Sequence, residues 1–172
     1  MIHSLRIPDE RKAVLIGHSG TTRRKIEKKT RTKITVGDEV TIEGESVDVM
    51  TCENIVKAIG RGFSPENALE LADEECTLEI IELSKNENEL KRVRSRLIGT
   101  RGKARRNLEL LTRTKISIYG RTVSIIGKYE DVERAETAIN NLMKGFSHKA
   151  VYEQLEKKQK EIKQDNTGKI ER

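Results

Sequence analysis

The sequence predicts an α+β protein in which one small unit, ordered β-α-α-β-β-α, occurs twice in tandem, each copy followed by a further helix. Three observations carry this prediction. The chain repeats itself: "IGHSGTTRRKIEKKTRTKITV" (Ile16 to Val36) aligns without a gap with "IGTRGKARRNLELLTRTKISI" (Ile98 to Ile118), with 11 of 21 positions identical. After a one-residue shift, Val40 to Ser64 aligns with Val123 to Ser147, with 9 of 25 identical. Apolar residues alternate in some segments and recur at helical spacing in others. Finally, both copies carry two glycines three residues apart at the head of a basic helical segment. Ile98 follows Ile16 by 82 residues. A period this long, present only twice, argues for two small domains rather than a solenoid, which needs three or more repeats.

The elements follow in order. "IHSLRI" and "TLEIIEL" alternate and open the two units as strands. Short helices are expected over Asp9 to Leu15 and Glu87 to Leu97. The glycine loops come next, and a second helix runs from the far glycine to Thr30 or Thr112. Two β-branched runs then follow in each unit, "KITV"/"VTI" and "KISIY"/"VSII", joined by hairpin-like turns at "GDE" and "GR". The last core helix starts near Asp48 or Asp131. Val49, Cys52, Val56 and Ile59 fall on one helical face, as do Val132, Ala135, Ile139 and Leu142. Both units then read "GFS". In "SPENALEL", Ser64 is placed as an N-cap and Pro65 as the first helical residue. "SHKAVYEQLEKKQKEI" begins a longer, charged helix. The expected boundaries are residues 1–74 for the first unit, 75–163 for the second and 164–172 for a polar, aperiodic tail.

Composition narrows the function. Of 172 residues, 34 are Lys or Arg and 28 are Asp or Glu, for a net charge of +6. That excess suits an anionic partner, and it is segregated. Residues 91–115 hold ten cations and one acid, and residues 21–35 hold seven cations and one acid. Residues 66–90 hold nine acids and one Lys. No apolar run approaches the roughly 20 residues of a membrane span. The N-terminus "MIHSLRIPDERK" has no secretory apolar core, so a cytoplasmic protein is expected. Cys52 and Cys76 form no C-x-x-C pair and read as core thiols. His3, His18 and His148 show no ligand spacing. With no P-loop lysine, no metal-ligand cluster and no nucleophile beside a His, no enzyme, cofactor or metal is expected. With no Trp, two Phe and three Tyr, an aromatic base-stacking sheet is excluded too. Phe63 and Phe146 occupy equivalent repeat positions and read as core anchors.

Two glycines three apart carry little information alone. Here both pairs follow Leu-Ile, sit between helices and precede clustered cations. Glycine lets a second backbone approach closely, and the amides of the loop and helix N-terminus favour a phosphate. The order and the loop resemble a type I KH domain, which clamps about four single-stranded nucleotides through its G-x-x-G loop. The residues carrying the resemblance are Ile16, Gly17, Gly20, Thr30, Lys33 and Ile34, then Ile98, Gly99, Gly102, Thr112, Lys115 and Ile116. Arg23 and Arg105 depart from the pattern, replacing its usual Ile. The second unit and "GRGFSPENALEL" are similar to the tandem KH family of small-subunit rRNA processing, the partners of the Nob endonuclease. With both loops intact, the chain resembles that family's archaeal branch.

The resemblance implies a monomeric protein that binds single-stranded RNA near the 3′ end of small-subunit rRNA during ribosome assembly. The expected RNA-binding residues are Ile16, Gly17, His18, Ser19, Gly20, Arg23, Arg24 and Lys33 in the first unit. In the second they are Ile98, Gly99, Thr100, Arg101, Gly102, Lys103, Arg105, Arg106, Lys115, Ile116 and Ile118. The second unit, with cations on both sides of its loop, is expected to supply most of the affinity. Protein partners in ribosome assembly or translation accord with this reading. Two other readings stand beside it: a protein-docking scaffold that touches RNA little, and a KH adaptor serving mRNA or an exosome.

Overall fold

A computed structural model describes residues 1–169. In the first unit, β1 (Ile2–Leu5) leads into α1 (Asp9–Ile16), the glycine loop and α2 (Thr21–Thr30). β2 (Lys33–Val36), β3 (Val40–Glu43) and α3 (Ser46–Gly60) complete it. The second unit repeats the order as β4 (Cys76–Glu82), α5 (Glu87–Ile98), α6 (Lys103–Thr112), β5 (Lys115–Tyr119), β6 (Thr122–Lys128) and α7 (Tyr129–Lys144). Each unit holds a three-stranded antiparallel sheet, ordered β1-β3-β2 and β4-β6-β5. The last strand of each unit lies in the middle, with β1 and β2, or β4 and β5, at the edges. In each unit the helices cover one sheet face. Leu15, Ile26, Ile42, Val56 and Ile59 are buried in the first core; Leu97, Leu108, Ile125, Ile139 and Leu142 are buried in the second.

The repeated "TRTK" closes the second helix of each unit. Arg31 and Arg113 take left-handed φ values of 55° and 58°, which ends the helix. The flanking hydroxyls then pair in the interior, Thr30 with Thr32 at 2.8 Å and Thr112 with Thr114 at 2.8 Å. Each leading Thr also donates to the carbonyl four residues back. Both hydroxyls of each pair are thus satisfied out of water, so this identity between the repeats has a structural cause.

The segments after the core helices differ from their expected form. In the first unit the added helix α4 (Pro65–Ala68) is one turn, followed by a 3-10 turn over Leu69–Ala72. Ser64 caps it by accepting the Asn67 amide at 3.2 Å. In the second, α8 (His148–Gly168) starts on a Ser147 cap at 3.1 Å and runs five residues past the expected boundary at 163. Thr167 holds this end by donating to the Lys163 carbonyl. Of the tail expected over 164–172, residues 170–172 lie outside the described residues. Leu111 on α6 packs with the core that holds Val151 and Leu155 of α8; the first unit has Lys29 there.

The units touch through the far side of the second sheet. Ile126 on β6 is fully buried and belongs to the first unit's core cluster, which Cys76 and Leu78 of β4 extend. Phe63 is 3% exposed and Leu71 is 6% exposed. Gly62 makes the approach close. Its φ is +95°, and a Cβ there would fall 2.7 Å from Ser117 Oγ on β5. Ser117 donates to the Arg61 carbonyl at 2.7 Å. Phe146 corrects the expectation drawn from its repeat position: it is 54% exposed, whereas Phe63 packs in the cluster that the second sheet's Ile126 joins. Cys52 takes Ala135's place on its helix and is fully buried, and burial pushes its thiol pKa up.

Candidate nucleic-acid interface

The two glycine loops have the same backbone. Gly17 and Gly99 both sit at φ 72°, with ψ 178° and 180°, a region closed to side chains. A Cβ on Gly17 would lie 2.3 Å from Thr22 Oγ1, and one on Gly99 would lie 2.7 Å from the Ala104 Cβ. Gly20 and Gly102 are left-handed at φ 74°. Between them Ser19 and Arg101 are also left-handed, at 52° and 53°, a strained state for a side-chain-bearing residue. His18, Ser19, Thr100 and Arg101 are exposed. The Thr21 and Lys103 amides bond back to the His18 and Thr100 carbonyls, and among the described residues no side chain caps the amides that follow at the starts of α2 and α6. Arg106 steadies the second loop by donating to the Arg101 carbonyl at 2.6 Å. Its counterpart Arg24 lies against Gly20.

Beside the second loop runs a groove of about 310 Å³. Ile98, Arg105, Glu109, Ile116, Ser117 and Ile118 line it from the second unit, and Gly62, Phe63, Ser64 and Asn67 from the first. Glu109 fixes its floor, accepting the Ile116 amide at 3.0 Å and pairing with Arg105 at 2.8 Å. In the first unit Glu27 likewise accepts the Ile34 amide, at 2.8 Å. Arg23, however, joins no ion pair among the described residues, and its buried Nε has no partner. The Arg that replaces the family's Ile is thus tied down in one groove and uncommitted in the other.

The structure gathers most of the expected residues. Ile98, Gly99, Thr100, Arg101, Gly102, Lys103 and Arg105 run along the second loop and groove, with Ile116 and Ile118 on β5. Ile16 to Gly20 and Arg23 form the matching first loop. Lys33 and Lys115 stand apart. They are exposed and alternate with the inward-facing Ile34 and Ile116, so they sit on the outer sheet face, away from the helices. The Gly62–Asn67 wall was missed. "GFSPEN" was read as a helix start, which it is, and nothing local shows which groove that turn borders.

Electrostatics separate the faces of α2 and α6 that lie opposite Arg23 and Arg105. In the first unit Lys25, Lys28 and Lys29 of α2 share a cleft with Glu66 and Glu70, which lowers the positive potential there. The matching positions of α6 carry Asn107, Leu110 and Leu111. Between the units, the Tyr119 hydroxyl donates to Glu10, and Arg11 and Arg61 lie 5.9 and 5.8 Å from the Tyr119 ring. That hydrogen bond holds the Glu10 carboxyl below its usual pKa and the Tyr119 phenol above its own. No group of His, Cys, Asp and Glu among the described residues could hold a metal ion, and no described helix is long and apolar enough to cross a membrane.

Comparison with known proteins supplies the lineage. Residues 76–160 match the family model described as a eukaryotic-type KH domain, type I, and residues 2–58 match the general KH domain. The chain is 40% identical to the KH domain-containing protein MJ0443 of Methanocaldococcus jannaschii, over 94% of this chain and 76% of that protein. It is 30% identical to the pre-rRNA-processing protein pno1 of Aspergillus fumigatus, over 61% of this chain and 44% of that longer protein. Among solved structures it resembles the a/eIF2alpha-aDim2p-rRNA complex of Pyrococcus horikoshii, with a TM-score of 0.87 and 43% identity, covering 94% of this chain and 95% of that one. Two G-x-x-G loops on a duplicated β-α-α-β-β-α frame, matched along nearly the whole chain, show that this protein belongs to the family of tandem type I KH proteins that includes Pno1 and Dim2.

Proposed function

We propose that this chain binds single-stranded RNA in its two G-x-x-G grooves, acts in pre-rRNA processing, and takes the 3′ region of small-subunit rRNA as its target. One observation carries the reading: a strained, exposed loop with uncapped helix amides behind it opens beside a groove walled by aliphatics and Arg105. Loop and amides suit phosphates, and the groove suits unstacked bases. The relatives support the target, since one is described as a pre-rRNA-processing protein and another was solved with rRNA. The grooves work by binding rather than catalysis, and protein partners in ribosome assembly fit the faces left exposed.

Titration of a 3′-end rRNA strand, an unrelated strand and a duplex, each at two salt concentrations, tests this. The 3′-end strand binds tightest, and its affinity falls steeply with salt as counterions are released. Equal affinity for strand and duplex, or none for either, overturns RNA binding. Equal affinity for the two single strands overturns the target alone.

A further inference from the structure

The turn Gly62–Asn67 closes the first unit, yet it borders the second unit's groove. Gly62 and the Ser117–Arg61 hydrogen bond hold it against β5. Of the side chains it offers, Phe63 is buried and packs in the core. The Ser64 hydroxyl is engaged, because its oxygen accepts the Asn67 backbone amide. Asn67 differs: it is half-buried in the groove lining, and its carboxamide forms no hydrogen bond with any described residue. The other polar groups of that floor, Arg105 and Glu109, already engage each other.

An uncommitted carboxamide presents an N–H donor group and an acceptor oxygen side by side and carries no charge. It therefore adds nothing to phosphate attraction, which the cationic loop supplies. Its complement is the edge of a base, where donors and acceptors also lie side by side. Its polar atoms stay within reach of solvent, so a base seated in the groove can meet them directly. We propose that Asn67 of the first unit is a specificity-determining residue of the second unit's groove and hydrogen-bonds the edge of an RNA base seated there. The duplication thus builds a composite site that neither unit holds alone. This inference rests on the RNA-binding reading above.

The test binds a random-sequence single-stranded RNA pool to the full chain, sequences the bound fraction and compares Asn67→Ala with the unsubstituted protein. Ser64 caps through the residue-67 backbone amide, so the variant keeps its fold, which its melting temperature verifies. The unsubstituted chain enriches particular bases. Asn67→Ala loses about tenfold of that preference at one position, the scale of a lost base-edge contact, while affinity for the whole pool changes less than about twofold. Asn67→Asp, which only accepts, shifts the preference at that position toward bases presenting an amino group. Thr100→Asp with Arg101→Asp serves as the contrast, weakening every sequence alike. Identical enrichment for Asn67→Ala and the unsubstituted chain overturns the proposal, as does a uniform loss at all positions. Failure of the unsubstituted chain to bind the pool overturns the RNA reading itself.

Discussion

The outer face of the first sheet carries Ile2, Ser4, Lys33, Thr35, Thr41 and Glu43, and it meets water. The matching positions of the second sheet carry Leu78, Ile80, Lys115, Ser117, Ser124 and Ile126. Most of these are covered by the end of the first unit, and every residue of β6 but its last is buried. One register on one fold thus gives a half-solvated sheet in one copy and a sheet covered on both sides in the other. Single exchanges such as Glu43 for Ile126 record which copy found a neighbour. The same divergence reaches the glycine-loop helices: the second groove has a wall lent by the first unit, and α2 of the first unit shares a cleft with Glu66 and Glu70.

Exchanging residues between the copies tests this asymmetry. The largest effect is expected from Ile126→Glu, which gives the second sheet the first sheet's residue. It buries an unpaired carboxylate and costs about 3–5 kcal/mol in denaturant unfolding. The reverse exchange, Glu43→Ile, stays within about 0.5 kcal/mol because its site is exposed. Equal costs would erase the distinction between the faces.

Next come the loops. Gly17 and Gly99 are poor probes, since any side chain there strains the backbone and collides with Thr22 or Ala104. Asp at both His18 and Ser19, against Asp at both Thr100 and Arg101, leaves the fold intact. The second pair is expected to cost at least about tenfold in RNA affinity and to flatten the salt slope by about one unit for the lost Arg101 contact. The first pair is expected to cost less. Equal losses would mean that the two grooves share the strand evenly.

Leu111→Lys copies Lys29 onto α6. It is expected to cost about 1–2 kcal/mol of apolar burial and to loosen α8, read as faster amide exchange in that helix. Lys29→Leu has no such partner to gain. The smallest effect concerns the junction. Glu10's folded pKa lies below the usual 4.5, so its bond to Tyr119 stabilises the fold above that value and is lost as pH falls through the lowered folded pKa. Glu10→Gln should remove this part of the acid sensitivity, measured as melting temperature against pH.

Much of this was legible in the sequence. The repeat fixed the element order, and the β-branched runs "KITV" and "KISIY" located β2 and β5. Three features were not legible, each for a physical reason. Phe63 and Phe146 are the same letter at the same repeat position, yet one is buried and one exposed, because Phe63 joins a core that the other unit's Ile126 completes. Lys33 and Lys115 match the family pattern, but strand alternation turns them from the groove. Asn67 lies 31 residues before Ile98, the first second-unit residue of the groove it borders, so only the docking of the two units shows its place.

The covered outer face of the second sheet also has a consequence for biosynthesis. The first unit leaves the ribosome before β4 to β6 exist, so Phe63 and Leu71 must wait in water for their partners. Conversely, a fragment beginning at Cys76 would expose Leu78, Ile80 and Ile126 together on one flat sheet, a surface that invites association between copies. Translation in the natural order makes the first unit's docking surface before the second sheet, so the later sheet is sheltered as soon as it forms.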